Sequence, residues 1–159
     1  MAKFIYNTYN VRYIYHANNK GSIFTRDTLQ DALNNPDITV TPSNLLNIKY
    51  KSAEKITDIS DVDLWDRTEK YQTTIKSIRN DSDEDIAKRL RSFYDNLLSQ
   101  HLSDGYDIVV IANELIISSL VEELYRINKY YTYRNIGCFI SVINTNNNLL
   151  DIHKFYIPQ

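Results

Sequence analysis

Only three glycines and three prolines occur in 159 residues, and no Gly/Ser-rich or Pro-rich stretch divides the chain into separately folding parts. A single cysteine, Cys138, excludes an intramolecular disulfide and cannot build a cysteine-based zinc site, which implies a reducing, cytoplasmic setting and a buried structural thiol. No run approaches the roughly 20 apolar residues of a membrane span. The first residues, Met1-Ala2-Lys3-Phe4-Ile5-Tyr6, lack a long apolar targeting segment, so no membrane association is expected. Neither charge sign dominates: 18 Lys and Arg face 20 Asp and Glu, a net charge of -2. That balance gives no overall attraction to polyanions, and nucleic acid is not an expected partner.

What is present is ordinary for a globular protein: 43% hydrophobic and 24% charged residues, enough apolar surface to fold. The length suits a single domain spanning residues 1–159. Thirteen tyrosines, with abundant Asn, Ile and Lys, match an AT-rich genome such as that of a large DNA virus.

Short apolar or β-branched runs predict strands at Lys3 to Tyr6, Ile38 to Thr41, Asp107 to Ile111 and Cys138 to Ile143. Thr41-Pro42-Ser43 predicts the start of a helix carrying Leu45, Leu46, Ile48 and Ala53. The clearest helix runs from about Asp83 to Gln100. Ile86, Leu90, Phe93, Leu97 and Leu98 make its core stripe, and Lys88, Arg89 and Arg91 are assigned to solvent. Gly105 marks a turn before the strand Ile108 to Ile111, and a further helix follows from about Asn113 to Asn128. Ligands of open α/β sheets bind beyond the carboxyl ends of the strands. A site is therefore expected at residues 112 to 114 and after Tyr6.

Several segments, in order, resemble the histidine phosphatase superfamily, which includes the phosphoglycerate mutases. Phe4-Ile5-Tyr6 resembles the strand that leads to the family's Arg-His-Gly motif, and Ala17-Asn18-Asn19-Lys20-Gly21 the segment after it. Leu29, Ala32 and Leu33 stand in for a longer family segment. Ile38 to Asn47 with Lys51-Ser52-Ala53-Glu54 resembles the family's second strand and helix. Asp83 to Leu98, Ile108 to Leu120 and Asn135 to Ile143 resemble the later pieces. The resemblance implies a three-layer α/β sandwich with a mostly parallel, phosphoglycerate mutase-like central sheet, strands 3 to 6, 38 to 41 and 108 to 111 being neighbours.

That family's chemistry uses a His nucleophile, two Arg and a second His around the phosphoryl group, and a carboxylic acid for the leaving group. Continuing the first strand places Thr8, Tyr9 and Asn10 on Arg-His-Gly, and a shifted register places Arg12, Tyr13 and Ile14 there. Either way Tyr replaces the nucleophile. The second Arg falls on Asn47, the second His on Asn113, and Glu114 adds a negative charge beside it. Asp66 and Glu69 lie in the region of the acid. The resemblance therefore implies a pseudoenzyme with no catalytic residues, no metal and no cofactor, acting through protein contacts, with a homodimer permitted.

His16, His101 and His153 lack helix-face pairing or a carboxylate partner in the sequence and read as surface or boundary residues, His16 having the best functional chance. Asn113 reads as a helix N-cap and Trp65 as a packing residue. Tyr6, Tyr9, Arg12, Tyr13 and Tyr15 form one basic-aromatic stretch. Tyr125, Arg126, Lys129, Tyr130, Tyr131, Tyr133 and Arg134 form a second, and Tyr130, Tyr131, Tyr133 and Arg134 are the candidate interface. Two alternatives remain open: a binding module for a phosphorylated ligand or nucleic acid using Arg12, Lys20 or Arg134, and an enzyme with a relocated site.

Overall fold

The computed structural model describes residues 1–49, 80–101, 103–125, 136–143 and 149–156. The first element is a helix, α1 (Ala2–Thr8), not the strand expected at residues 3 to 6. A four-residue apolar run carries no preference between helix and strand. Here Met1, Phe4 and Ile5 share one helical stripe that packs on the core with Tyr9, whose ring meets Phe4 edge-on at 6.0 Å.

The first strand is instead β1 (Val11–His16), the middle of a three-stranded, all-parallel sheet. One neighbour is β2 (Thr39–Pro42), with Tyr13 opposite Thr39 and His16 opposite Pro42. The other is β3 (Asp107–Ile111), with Tyr13 opposite Ile108 and His16 opposite Ile111. An irregularity between Val11 and Tyr13 shifts the register against β3. A bulge reorients side chains, which explains how Val11 and Ile14, three residues apart, enter the same cluster. Pro42 closes β2 at the sheet edge, where its missing N–H removes no ladder bond.

Helices cover both faces, as an α/β domain requires. On one, α1 and α2 (Lys20–Leu33) enclose Ile5, Val11, Ile14, Leu29, Leu33 and Ile111. The N-cap of α2 is Asn19, whose side chain accepts from Ser22 N–H at 2.8 Å. The helix ends at Asn34 in the left-handed region, φ 44°. On the other face lie α3 (Asp83–His101) and α4 (Glu114–Tyr125), with Leu46, Ile86, Leu90, Phe93, Leu97, Ile116 and Leu120 buried. Ser82 and Asp85 form a reciprocal capping box at the start of α3, each backbone N–H bonded to the other's side chain at 3.1 Å.

Two expectations near α3 need correction. Residues 44–46 form a single 3-10 turn, and Asn47 is already extended, so no helix runs through Leu45, Leu46 and Ile48; Ala53 lies outside the described residues. The Leu45 and Asn47 carbonyls, which a helix would give to later amides, accept instead from the Arg89 guanidinium at 3.2 and 2.5 Å. Arg89 is thus no solvent-side charge: its side chain is 11% exposed and pairs at 2.7 Å with Asp81, 3% exposed. Arg91 likewise turns toward α4, bonding the Glu123 carbonyl at 3.2 Å.

Strand β3 follows a turn at Gly105, whose φ of 76° suits glycine. Strands β4 (Ile136–Ile143) and β5 (Leu149–Tyr156) pair antiparallel, Cys138 opposite Phe155 and Ile140 opposite His153. The sequence reading anticipated β4 but not β5. Among the described residues, no helix is long and apolar enough to cross a membrane.

Candidate functional site

With all three strands parallel, their carboxyl ends form one edge, where β1 ends in His16 and Ala17. His16 O accepts from Ser43 N–H at 2.9 Å, and Ala17 N–H donates to Ile111 O at 2.9 Å, so this corner is clamped between the ends of β2 and β3. The imidazole follows Ile14 inward toward α2 and is 2% exposed. Its Nδ1 lies 2.9 Å from Ala17 O, and a carbonyl can only accept, so that nitrogen carries the proton. Nε2 is then left as the acceptor facing Arg26 Nη1 at 3.3 Å. Arg26 in turn pairs with Asp27 at 2.6 Å.

Neutral amides fill the rest of this edge. Asn18 N–H donates to Asn47 Oδ1 at 2.8 Å, and Asn18 Nδ2 donates to Asn44 Oδ1 at 2.9 Å. Asn113 accepts from Ile116 N–H at 3.1 Å, so it caps α4 as the sequence reading expected, and Glu114 is the first helical residue. Asn47 and Asn113 therefore stand beyond the carboxyl ends of the strands.

The anticipated first-motif residues do not. Thr8 ends α1 and Tyr9 packs on Phe4. Asn10 exchanges bonds with Asp107 at the opposite, amino-terminal edge, at 2.8 and 3.0 Å. Arg12 is 3.7 Å from Asp37 and 4.4 Å above the Tyr106 ring. Tyr13 lies against the His101 ring at 4.0 Å. The interface candidates Tyr130, Tyr131, Tyr133 and Arg134, together with Trp65, Asp66 and Glu69, fall outside the described residues.

A second polar cluster lies on the α3 face of β1. His101 Nδ1 is 3.1 Å from Asp104 Oδ2, and its Nε2 is 2.7 Å from Tyr15 Oη. Asp104 is thus the carboxylate partner that His101 lacks on its own helix face. The signal was the spacing His101-x-x-Asp104 across a helix end, where Gly105 turns the chain back. The hydrogen bond to Asp104 is the main cause that raises the Tyr13 phenol above its ordinary pKa. Burial raises that of Tyr15. At Asp104, burial works to raise the carboxyl, but bonds from Tyr106 N–H, His101 and Tyr13 outweigh it and hold it below the ordinary carboxylate range.

Two concavities flank α3. One, of about 420 Å³, is lined by Lys49, Asp81, Asp85, Lys88 and Arg89, and the other, of about 150 Å³, borders Tyr15, Ser43, Phe93, Asn96 and Gln100. Neither includes His16. Among the described residues, no group of three or more His, Cys, Asp or Glu side chains could hold a metal ion. No protein-family model matches the chain, and no curated protein sequence matches it.

Proposed function

We propose that this chain is a catalytically inactive, histidine-phosphatase-like module that works through contacts with other proteins. In this reading the Arg-His-Gly motif of the resemblance is taken at the end of β1, on Tyr15, His16 and Ala17, in place of the Tyr9 and Tyr13 registers. One histidine is then retained at the end of the first strand, while Tyr15, Asn47 and Asn113 stand where the family has Arg, Arg and His.

The observation that carries the reading is the chemistry of the carboxyl-terminal edge. A phosphoryl dianion needs converging cations and donors. The Asn18, Asn44 and Asn47 amides spend their hydrogen bonds on one another, and Arg26, the cation in contact with His16, is neutralised by Asp27. The buried imidazole has both nitrogens engaged.

Hydrolysis assays with p-nitrophenyl phosphate, sugar phosphates, nucleotides and phosphopeptides test the inactive half of the proposal. Background turnover, identical in the wild type and in His16→Ala, is expected. Turnover that disappears in His16→Ala would overturn it. Substituting Tyr130, Tyr131 and Arg134 together tests the contact half, with loss of self-association or partner recovery expected. Contacts through this surface should survive moderate salt, whereas binding through a nucleic-acid backbone would weaken steeply.

A further inference from the structure

We propose that Tyr15 Oη is an activated acyl acceptor, with His101 as its base and Asp104 as the positioning residue. It would take a small acyl group from an activated ester or thioester. The reaction acylates the protein itself once, by attack at an acyl carbon, without turnover; it stands apart from the phosphoryl catalysis that the proposed function denies and does not rest on that reading.

The geometry is that of a hydroxyl nucleophile held by a base that is itself held by a carboxylate. Asp104 Oδ2 accepts from His101 Nδ1–H at 3.1 Å, which fixes the tautomer and leaves the Nε2 lone pair aimed at Tyr15 Oη, 2.7 Å away. Gln100 Oε1, at 3.4 Å, is the weaker alternative acceptor for the same phenol proton. A tie between α3 and β1 would need only the Tyr15–His101 bond. It would not need the carboxylate on the far nitrogen, nor the cleft that Tyr15 borders on its near side.

That cleft sets the substrate class. The cleft is small, about 150 Å³, which suits a short acyl group. Phe93 and Leu97 supply apolar wall, and the Asn96 and Gln100 amides can donate to a developing oxyanion. The described side chains that line it are uncharged, so a neutral acyl group fits better than a carboxylate or phosphate.

The step balances without a further reactant. Tyr15 Oη forms a bond to the acyl carbon as the bond from that carbon to the leaving oxygen or sulfur breaks. The phenol proton passes to His101 Nε2 and then to the leaving group, while Asp104 stays ionised beside the transient imidazolium. Because Tyr15 is protonated at rest, the proton must move during the attack, as for any neutral hydroxyl nucleophile.

The test is exposure of the intact protein to p-nitrophenyl acetate, or to a simple acetyl thioester, with acid quench and peptide mapping by mass spectrometry. One acetyl group on Tyr15, forming faster than on other tyrosines or lysines and absent in Tyr15→Phe, is expected. His101→Gln should slow it by about 100-fold. Asp104→Asn should lower the rate at saturating ester while leaving the half-saturating concentration unchanged. Acetylation scattered over surface lysines with no preference for Tyr15 would overturn the proposal, and so would a Tyr15 rate indifferent to His101→Gln. Mapping of the wild type decides the first point even where a variant does not fold.

Discussion

The two faces of the β2-β1-β3 sheet are held by different physics. Toward α1 and α2 the contacts are apolar apart from the buried His16 beside Arg26, and the Arg26–Asp27 ion pair there lies near the surface. Toward α3 and α4, a larger apolar cluster is joined by the buried Arg89–Asp81 pair and by the Asp104–His101–Tyr15 chain. His16 and His101 make the contrast concrete: His16 ends β1 and turns toward α2, His101 ends α3 and meets β1 from the other face, and only the second has a carboxylate on one nitrogen and a hydroxyl on the other. Burial alone does not prepare a histidine for chemistry; its two partners do.

The sharpest way to break this comparison is to remove a charge from each face. Arg89→Ala leaves Asp81 buried without its cation and frees the Leu45 and Asn47 carbonyls, so a loss of about 3–5 kcal/mol is expected in urea unfolding. Arg26→Ala removes a partly exposed pair and the 3.3 Å partner of the buried His16 Nε2, and should cost less, about 1–2 kcal/mol. Equal losses would show that the two faces are not distinct in this way.

Apolar truncations should instead behave alike on both sides. Leu90→Ala and Leu29→Ala each empty a fully buried site, and each should cost about 2–5 kcal/mol. Because the two residues belong to separate clusters, the double variant should lose the sum within about 0.5 kcal/mol. A larger coupling would mean that the sheet transmits packing changes from face to face.

How much of this was legible in the sequence follows from the same division. Helix α3, with a long stripe and a capping box, was readable, as were β2, β3 and the Asn113 cap. The β1 strand was not: its alternation Val-Arg-Tyr-Ile-Tyr-His is masked by a bulge and by polar residues bonded on both faces, whereas Phe4-Ile5-Tyr6 looks more strand-like than it is. With α1 in place of the expected strand, Thr8 to Asn10 fall between α1 and β1, and Arg12 to Ile14 fall within β1 rather than beyond a strand end. Arg89 was misjudged because its partner, Asp81, precedes the helix. Periodicity within α3 cannot reveal it.

Caps give smaller and more symmetrical effects. Asn19→Ala on α2 and Asn113→Ala on α4 each remove one side-chain acceptor from a helix start, at 2.8 and 3.1 Å, and each should cost about 1 kcal/mol. If Asn113 served a ligand as well as the cap, Asn113→Ser would restore stability but not binding.

The smallest expected effect lies in the pH dependence of unfolding. The Asp85 carboxyl sits below the ordinary range chiefly because of its bonds from Ser82, and Asp104 is also lowered. For a lowered carboxyl the unfolded chain binds protons first, so the stabilisation is complete above a pH of about 4 and is lost as pH falls through the native value. Tyr13 and Tyr15 have raised values, so the folded chain keeps its protons longer. Their contribution is complete below a pH of about 10 and is lost as pH rises beyond it. Stability measured across both limbs should therefore fall at either end. Asp104→Asn should flatten both, since its carboxylate receives bonds from His101 and Tyr13 and its charge raises both phenols. Asp85→Asn should flatten the acid limb alone. An alkaline limb unchanged in Asp104→Asn would mean that the phenols on the α3 face owe their shift to burial and not to that carboxylate.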